Sequence, residues 1–72
     1  MSYSIALLSA ANDGCRSWGG TVLVKFFNDG DWHSGWLIGI GSKMSIQLAD
    51  TGELVEDVEA HQVAAADVKA RA

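Results

Sequence analysis

The stretch Thr21–Ile40, TVLVKFFNDGDWHSGWLIGI, decides how this chain is read. β-Branched and aromatic residues run on both sides of Asn28-Asp29-Gly30-Asp31, and turn residues grouped between two such runs signal a β-hairpin. In the first run Val22, Val24 and Phe26 share one face, and Leu23, Lys25 and Phe27 share the other. Lys25 is the only polar interruption, so the first set is the expected core face. The second run has two phases. One holds Trp32, Ser34, Trp36, Ile38 and Ile40, the other His33, Gly35, Leu37, Gly39 and Gly41. Bulk alone favours burying the first, yet glycines inside strands also mark close backbone approach, so the bulky phase need not be the buried one.

Downstream, KMSIQLADTGELVEDV repeats the device: a short run, a turn at Asp50-Thr51-Gly52 and another short run. Met44, Ile46 and Leu48 alternate with Ser45, Gln47 and Ala49, an apolar face against a polar one. Beyond Val58 the alanine-rich tail AHQVAAADVKARA suits either a helix, with a weak stripe of Val63, Ala66 and Lys69, or a turn and a last strand at Val68–Ala70. Upstream, Tyr3–Leu8 fits a short helix or an added strand. The helix is favoured, ending at Asn12-Asp13-Gly14 with Gly14 as the left-handed residue past its last turn. Trp18-Gly19-Gly20 then marks the entry to the first strand. Five short strands with turns every eight to twelve residues predict a mainly β domain, a small closed antiparallel barrel over 21–72 preceded by an extension at 1–20.

Seventy-two residues allow one domain and a small core, and a chain of that size buries only about 60% of the surface its unfolded form exposes. The single cysteine, Cys15, excludes an intramolecular disulfide, and no Cys/His cluster offers a metal site. No cofactor is implied. Hydrophobic content of 49% is high for a domain that cannot bury everything, which points to self-association. No apolar run approaches the ~20 residues needed to cross a bilayer, and no basic residue precedes Arg16 as a secretory signal would require. A cytoplasmic protein without membrane contact is expected.

The net charge of −4 is unevenly placed. Asp50, Glu53, Glu56, Asp57, Glu59 and Asp67 lie between Lys43 and Lys69 with no basic residue among them. Arg16, Lys25 and Lys43 do not make the basic stripe that wraps a phosphate backbone, so nucleic-acid binding is disfavoured. Catalytic signatures are missing too. His33 and His61 have no acidic or thiol partner at ligand spacing, Ser34 sits in His-Ser-Gly rather than a nucleophile elbow, and Gly39-Ile40-Gly41 lacks a phosphate-loop context.

The order of these elements, from Trp18 to Val68, resembles the Tudor-type members of the SH3-like barrels. An apolar strand (Val22–Phe27) leads to an Asp-Gly turn, an aromatic-small segment (Trp32-His33-Ser34-Gly35), apolar Leu37–Ile40, Ile46–Leu48, the Asp50-Thr51-Gly52 turn, Glu56-Asp57-Val58 and a closing Asp67-Val68. The resemblance covers about 50 of the 72 residues. It implies a five-stranded SH3-like, Tudor-like barrel. Such domains often read methylated lysine or arginine with an aromatic cage, a cation–π device. The cage positions fall at Phe26, His33, Leu48 and Thr51, of which only Phe26 offers a good wall, so the resemblance carries fold rather than that function.

It also directs His33, Gly35 and Leu37 inward and Trp32, Trp36 and Ile38 outward, where tryptophan is enriched as an interface anchor. The candidate binding residues are therefore Trp18, Phe26, Trp32, His33, Trp36 and Ile38. A non-catalytic module acting through protein contacts, including contacts with itself, is the leading expectation. A nucleic-acid-associated accessory protein of a phage or mobile element, using Arg16, Lys25 and Lys43 with aromatic stacking, is the alternative. A third is an oligomeric small-barrel enzyme: Trp32…Gly35-Trp36-Leu37-Ile38-Gly39 is similar to part of the plasmid-borne, trimethoprim-insensitive dihydrofolate reductases, although their pore-lining Val-Gln-Ile-Tyr has no counterpart here.

Overall fold

The computed structural model describes residues 4–17 and 19–69, apart from the Arg16 side chain. Helix α1 (Ile5–Ser17) is followed by five strands, β1 (Thr21–Asn28), β2 (Asp31–Ile40), β3 (Met44–Leu48), β4 (Leu54–Val58) and β5 (Val63–Lys69), with a 3-10 turn at Ala60–Gln62 before the last. The strands form one antiparallel sheet in the order β4-β3-β2-β1-β5. Three consecutive hairpins build most of it, and β5 returns to the far side of β1. Among the described residues β4 and β5 are both edges, so the sheet is not closed as the barrel expectation required. Strand β4 is only five residues long and is bent by a bulge, while α1 packs with the sheet and supplies core that closure would otherwise provide.

The first hairpin forms where the sequence places it. Asn28 pairs with Asp31, and Asp29 (φ 54°) and Gly30 (φ 77°) between them both take the left-handed conformation of a type I′ turn. That turn matches the right-handed twist of the strands it joins. At the second turn Gly52 has φ 77° and donates its N–H to the Leu48 carbonyl at 3.0 Å.

The inner face of the sheet holds the core. Val22, Val24 and Phe26 of β1 and Met44, Ile46 and Leu48 of β3 are buried, as their alternation predicts, with Leu37, Val58 and Val63 completing the layer. In β2 the glycine phase is the inner one. Gly35 and Leu37 are buried and His33 is half-buried, whereas Trp32 and Ile38 are exposed. A register shift between Leu37 and Gly39 then turns Ile40 back inward, against the core, so the bulky phase is not continuous along the strand.

Two stretches differ from expectation. The helix does not stop at Asn12-Asp13-Gly14 but runs on to Ser17. Leu8, Asn12 and Cys15, spaced i, i+4 and i+7, bury one side of it, and that packing outweighs the local turn preference. The stop comes at the paired glycines: Gly19 has φ 76°, and the Gly20 N–H reaches the Cys15 carbonyl at 2.8 Å, the long bond of a Schellman cap. Cys15 and Leu8 join the same core as the strands.

The last strand begins at Val63 rather than Val68, with the alanines inside it and no helical tail before Lys69. Buried Val63 pairs with Phe26, and Gln62 Nε2 donates to the Phe27 carbonyl at 2.9 Å, so the chain is fixed against β1 before the alanines are reached. The expected start of the helix at Tyr3, and Ala70 at the end of the last strand, lie outside the described residues.

Candidate binding surface

The outer face of the sheet is assembled from alternate residues of every strand. Strand register aligns Asp67, Leu23, Trp36, Gln47 and Leu54 in one row across all five strands. The next row holds Ala65, Lys25 and Ser34, and beyond it Phe27 pairs with Trp32. Their rings meet edge to face at 5.2 Å between centroids, and Lys25 Nζ lies 5.9 Å from the Trp32 ring. An edge-to-face pair with a cation over its indole holds its side chains more firmly than an isolated ring in water.

This face is apolar where a small domain can least tolerate it. Phe27 is 42% exposed, Trp32 49%, Ile38 39% and Leu54 50%, and Leu23 and Trp36 are half-buried beside them. A shallow cleft of about 170 Å³, lined by Leu23, Val24, Lys25, Ser34, Ala65 and Asp67, runs along the β1–β5 side. A second, apolar groove of about 300 Å³ separates α1 from the end of β5, lined by Ala10, Ala11, Gly14, Cys15, Ser17 and Val68.

The structure gathers Trp32, Trp36 and Ile38 on this outer face. It places Phe26 and His33 elsewhere. Phe26 is fully buried, 5.8 Å between ring centroids from His33, whose Nε2 donates to the Asn28 carbonyl at 3.2 Å. With Leu48 also buried and Thr51 in the β3–β4 turn, where its Oγ1 accepts the Glu53 N–H, the four cage positions present no open set of ring faces. Trp18 and the Arg16 side chain lie outside the described residues. Leu54, absent from the candidates named from sequence, extends the patch to β4, where its pairing with Gln47 places it; no signal within its own strand marks it.

Lys25 stands in mid-β1, whereas Lys43 is exposed in the β2–β3 connection at the opposite end of β2, so the two cations do not form a strip. Among the described residues no group of three or more His, Cys, Asp or Glu is placed to hold a metal ion. No described helix is long and apolar enough to cross a membrane. Comparison with models of known families, with characterised proteins and with solved structures finds no match for this chain.

Proposed function

We propose that this chain is a small non-catalytic binding module, an open form of the SH3-like, Tudor-like barrel, that acts through protein contacts made by the outer face of its sheet. The observation that carries this reading is the exposure of Trp32 with Phe27, Ile38 and Leu54 on one face. Half an indole is roughly 100 Å² of apolar surface, worth about 2.5 kcal/mol at the usual 25 cal/mol per Å² if a partner removes it from water. A nucleic-acid reading draws on one feature, Lys25 beside Trp32, since a cation and an exposed ring together form a stacking platform.

Isotope-labelled protein titrated from micromolar to millimolar concentration, and separately with single-stranded oligonucleotides, separates the two. Concentration-dependent shifts confined to Leu23, Phe27, Trp32, Ile38 and Leu54 support a protein-docking face. Salt-sensitive shifts around Lys25 and Trp32 only with oligonucleotide would replace it with the nucleic-acid reading. Concentration-dependent shifts confined to α1 would overturn the choice of face.

A further inference from the structure

We infer that the partner of the outer face is a second copy of this chain, packed face to face about a twofold axis running along β2, so that Glu56 of each copy meets Lys69 of the other. This rests on the outer face being a docking surface, and adds who docks and in what orientation.

Area is the first argument. Strands ~4.8 Å apart and rising ~3.3 Å per residue give a five-stranded face about 20 Å wide, and about 26 Å long over the eight residues of β1. That is about 500 Å² in projection, so two copies bury roughly 1,000 Å² in total, just enough for a specific but weak interface. A larger partner is not needed to cover the patch. An identical face of the same size covers it, and the free energy of exposed indole is recovered twice in one contact.

Charge is the second argument, and it fixes the orientation. The protein carries net −4, which opposes pairing in general, yet the outer face is balanced. Lys25 and Lys69 stand there with Glu56 and Asp67. Lys69 pairs with Thr21 and belongs to edge strand β5. Glu56 follows Val55, whose partner is the buried Ile46, so alternation returns it to the Leu54 side of the sheet before the bulge at Asp57, on the other edge. Both are exposed. A twofold axis along the central strand exchanges the two edges, bringing each Lys69 over a Glu56. Trp36 then meets its own copy near the axis, and Leu23 faces the partner's β3. Such rim pairs set register and partner choice more than affinity.

Sedimentation equilibrium on the full chain at low salt, with charge reversals, tests this. The expected result is a monomer–dimer equilibrium with a micromolar dissociation constant, weakened about fivefold or more by Glu56→Lys or Lys69→Glu alone and restored by the two together. Wild-type protein that remains monomeric at millimolar concentration overturns the inference. A dimer indifferent to the reversals but abolished by Trp32→Ser overturns the orientation while leaving the docking face in place. A dimer that survives Trp32→Ser and Ile38→Ser together, in protein whose circular dichroism is unchanged, overturns both the inference and the proposed function.

Discussion

Gly35 and Ile46 stand closer than any other residue at position 35 would permit. A Cβ on Gly35 would meet Ile46 Cγ2 at 2.6 Å and the Gln47 carbonyl oxygen at 2.7 Å. The side chain could be trimmed, but the carbonyl belongs to the β3 backbone and cannot give way without opening the β2–β3 ladder. Gly35→Ala is therefore expected to cost about 2 kcal/mol or more, although alanine is the smallest possible change. Equilibrium urea denaturation measures it, and a loss below about 0.5 kcal/mol would mean that β2 and β3 do not approach as described. The same contact explains why the phase with less bulk is the buried one: a tryptophan in that row would have no room.

The left-handed residues give a second expectation, with opposite signs at two separate sites. Gly30 (φ 77°) has open space where a Cβ would be, so only backbone strain opposes a side chain there. Gly30→Val should cost more than about 1 kcal/mol. Asp57, at φ 60° in the β4 bulge, already bears that strain. Asp57→Gly should leave stability unchanged or raise it by up to about 1 kcal/mol, whereas Asp57→Val should lower it by about 1–2 kcal/mol. Melting temperatures of the three variants against wild type decide the matter.

The hairpins were legible because three local signals agree in them. Alternation in Val22–Phe26 and Met44–Leu48, turn residues at Asp29-Gly30 and at Gly52, and the return of apolar residues afterwards all favour one structure. Elsewhere local signals conflict with packing. Asn12-Asp13-Gly14 has the composition of a stop, and only contact of Leu8 and Cys15 with the sheet carries the helix through it. The alanines of β5 have no strand preference of their own and are strand because Val63 and Gln62 have already fixed them beside β1. The outer patch was half legible. Alternation puts Trp32, Trp36 and Ile38 on one face, but only the resemblance turns that face outward, and the place of Leu54 depends on cross-strand register, which one strand read alone does not contain.

Asn12 is the one side chain among the described residues whose buried polar atom has no partner. It is 5% exposed, and its Oδ1 accepts no hydrogen bond. A buried, unpaired carbonyl costs about 1–3 kcal/mol, so an apolar replacement of similar shape should gain stability. Asn12→Leu is expected to raise the unfolding free energy by about 1 kcal/mol, helped by the better helix propensity of leucine. Asn12→Asp, which places a charge in the same site, should lower it. If both variants lose stability equally in urea titrations, the burial of Asn12 in the α1–sheet contact is wrong.

Cys15 provides a test of whether α1 is part of the domain or an extension lying on it. Its thiol is 2% exposed and donates to the Thr21 carbonyl at 2.8 Å, with the Lys69 carbonyl at 3.6 Å, so one side chain joins the helix to the first and last strands. A thiol held in this way reacts with a bulky reagent only when the helix leaves the sheet. If α1 were an independent extension, it would open at almost no cost and modification would be fast. If Leu8 and Cys15 share the core with Phe26 and Met44, opening requires unfolding of much of the domain. Native-state modification by an aromatic disulfide reagent should then be slower than that of the unfolded chain by a factor approaching the folding equilibrium constant. Leu8→Ala, which removes a fully buried leucine at a cost of about 2–3 kcal/mol, should accelerate modification by about the same free energy, ~30-fold or more. Rapid modification of the wild-type thiol, unaffected by Leu8→Ala, would separate the helix from the core.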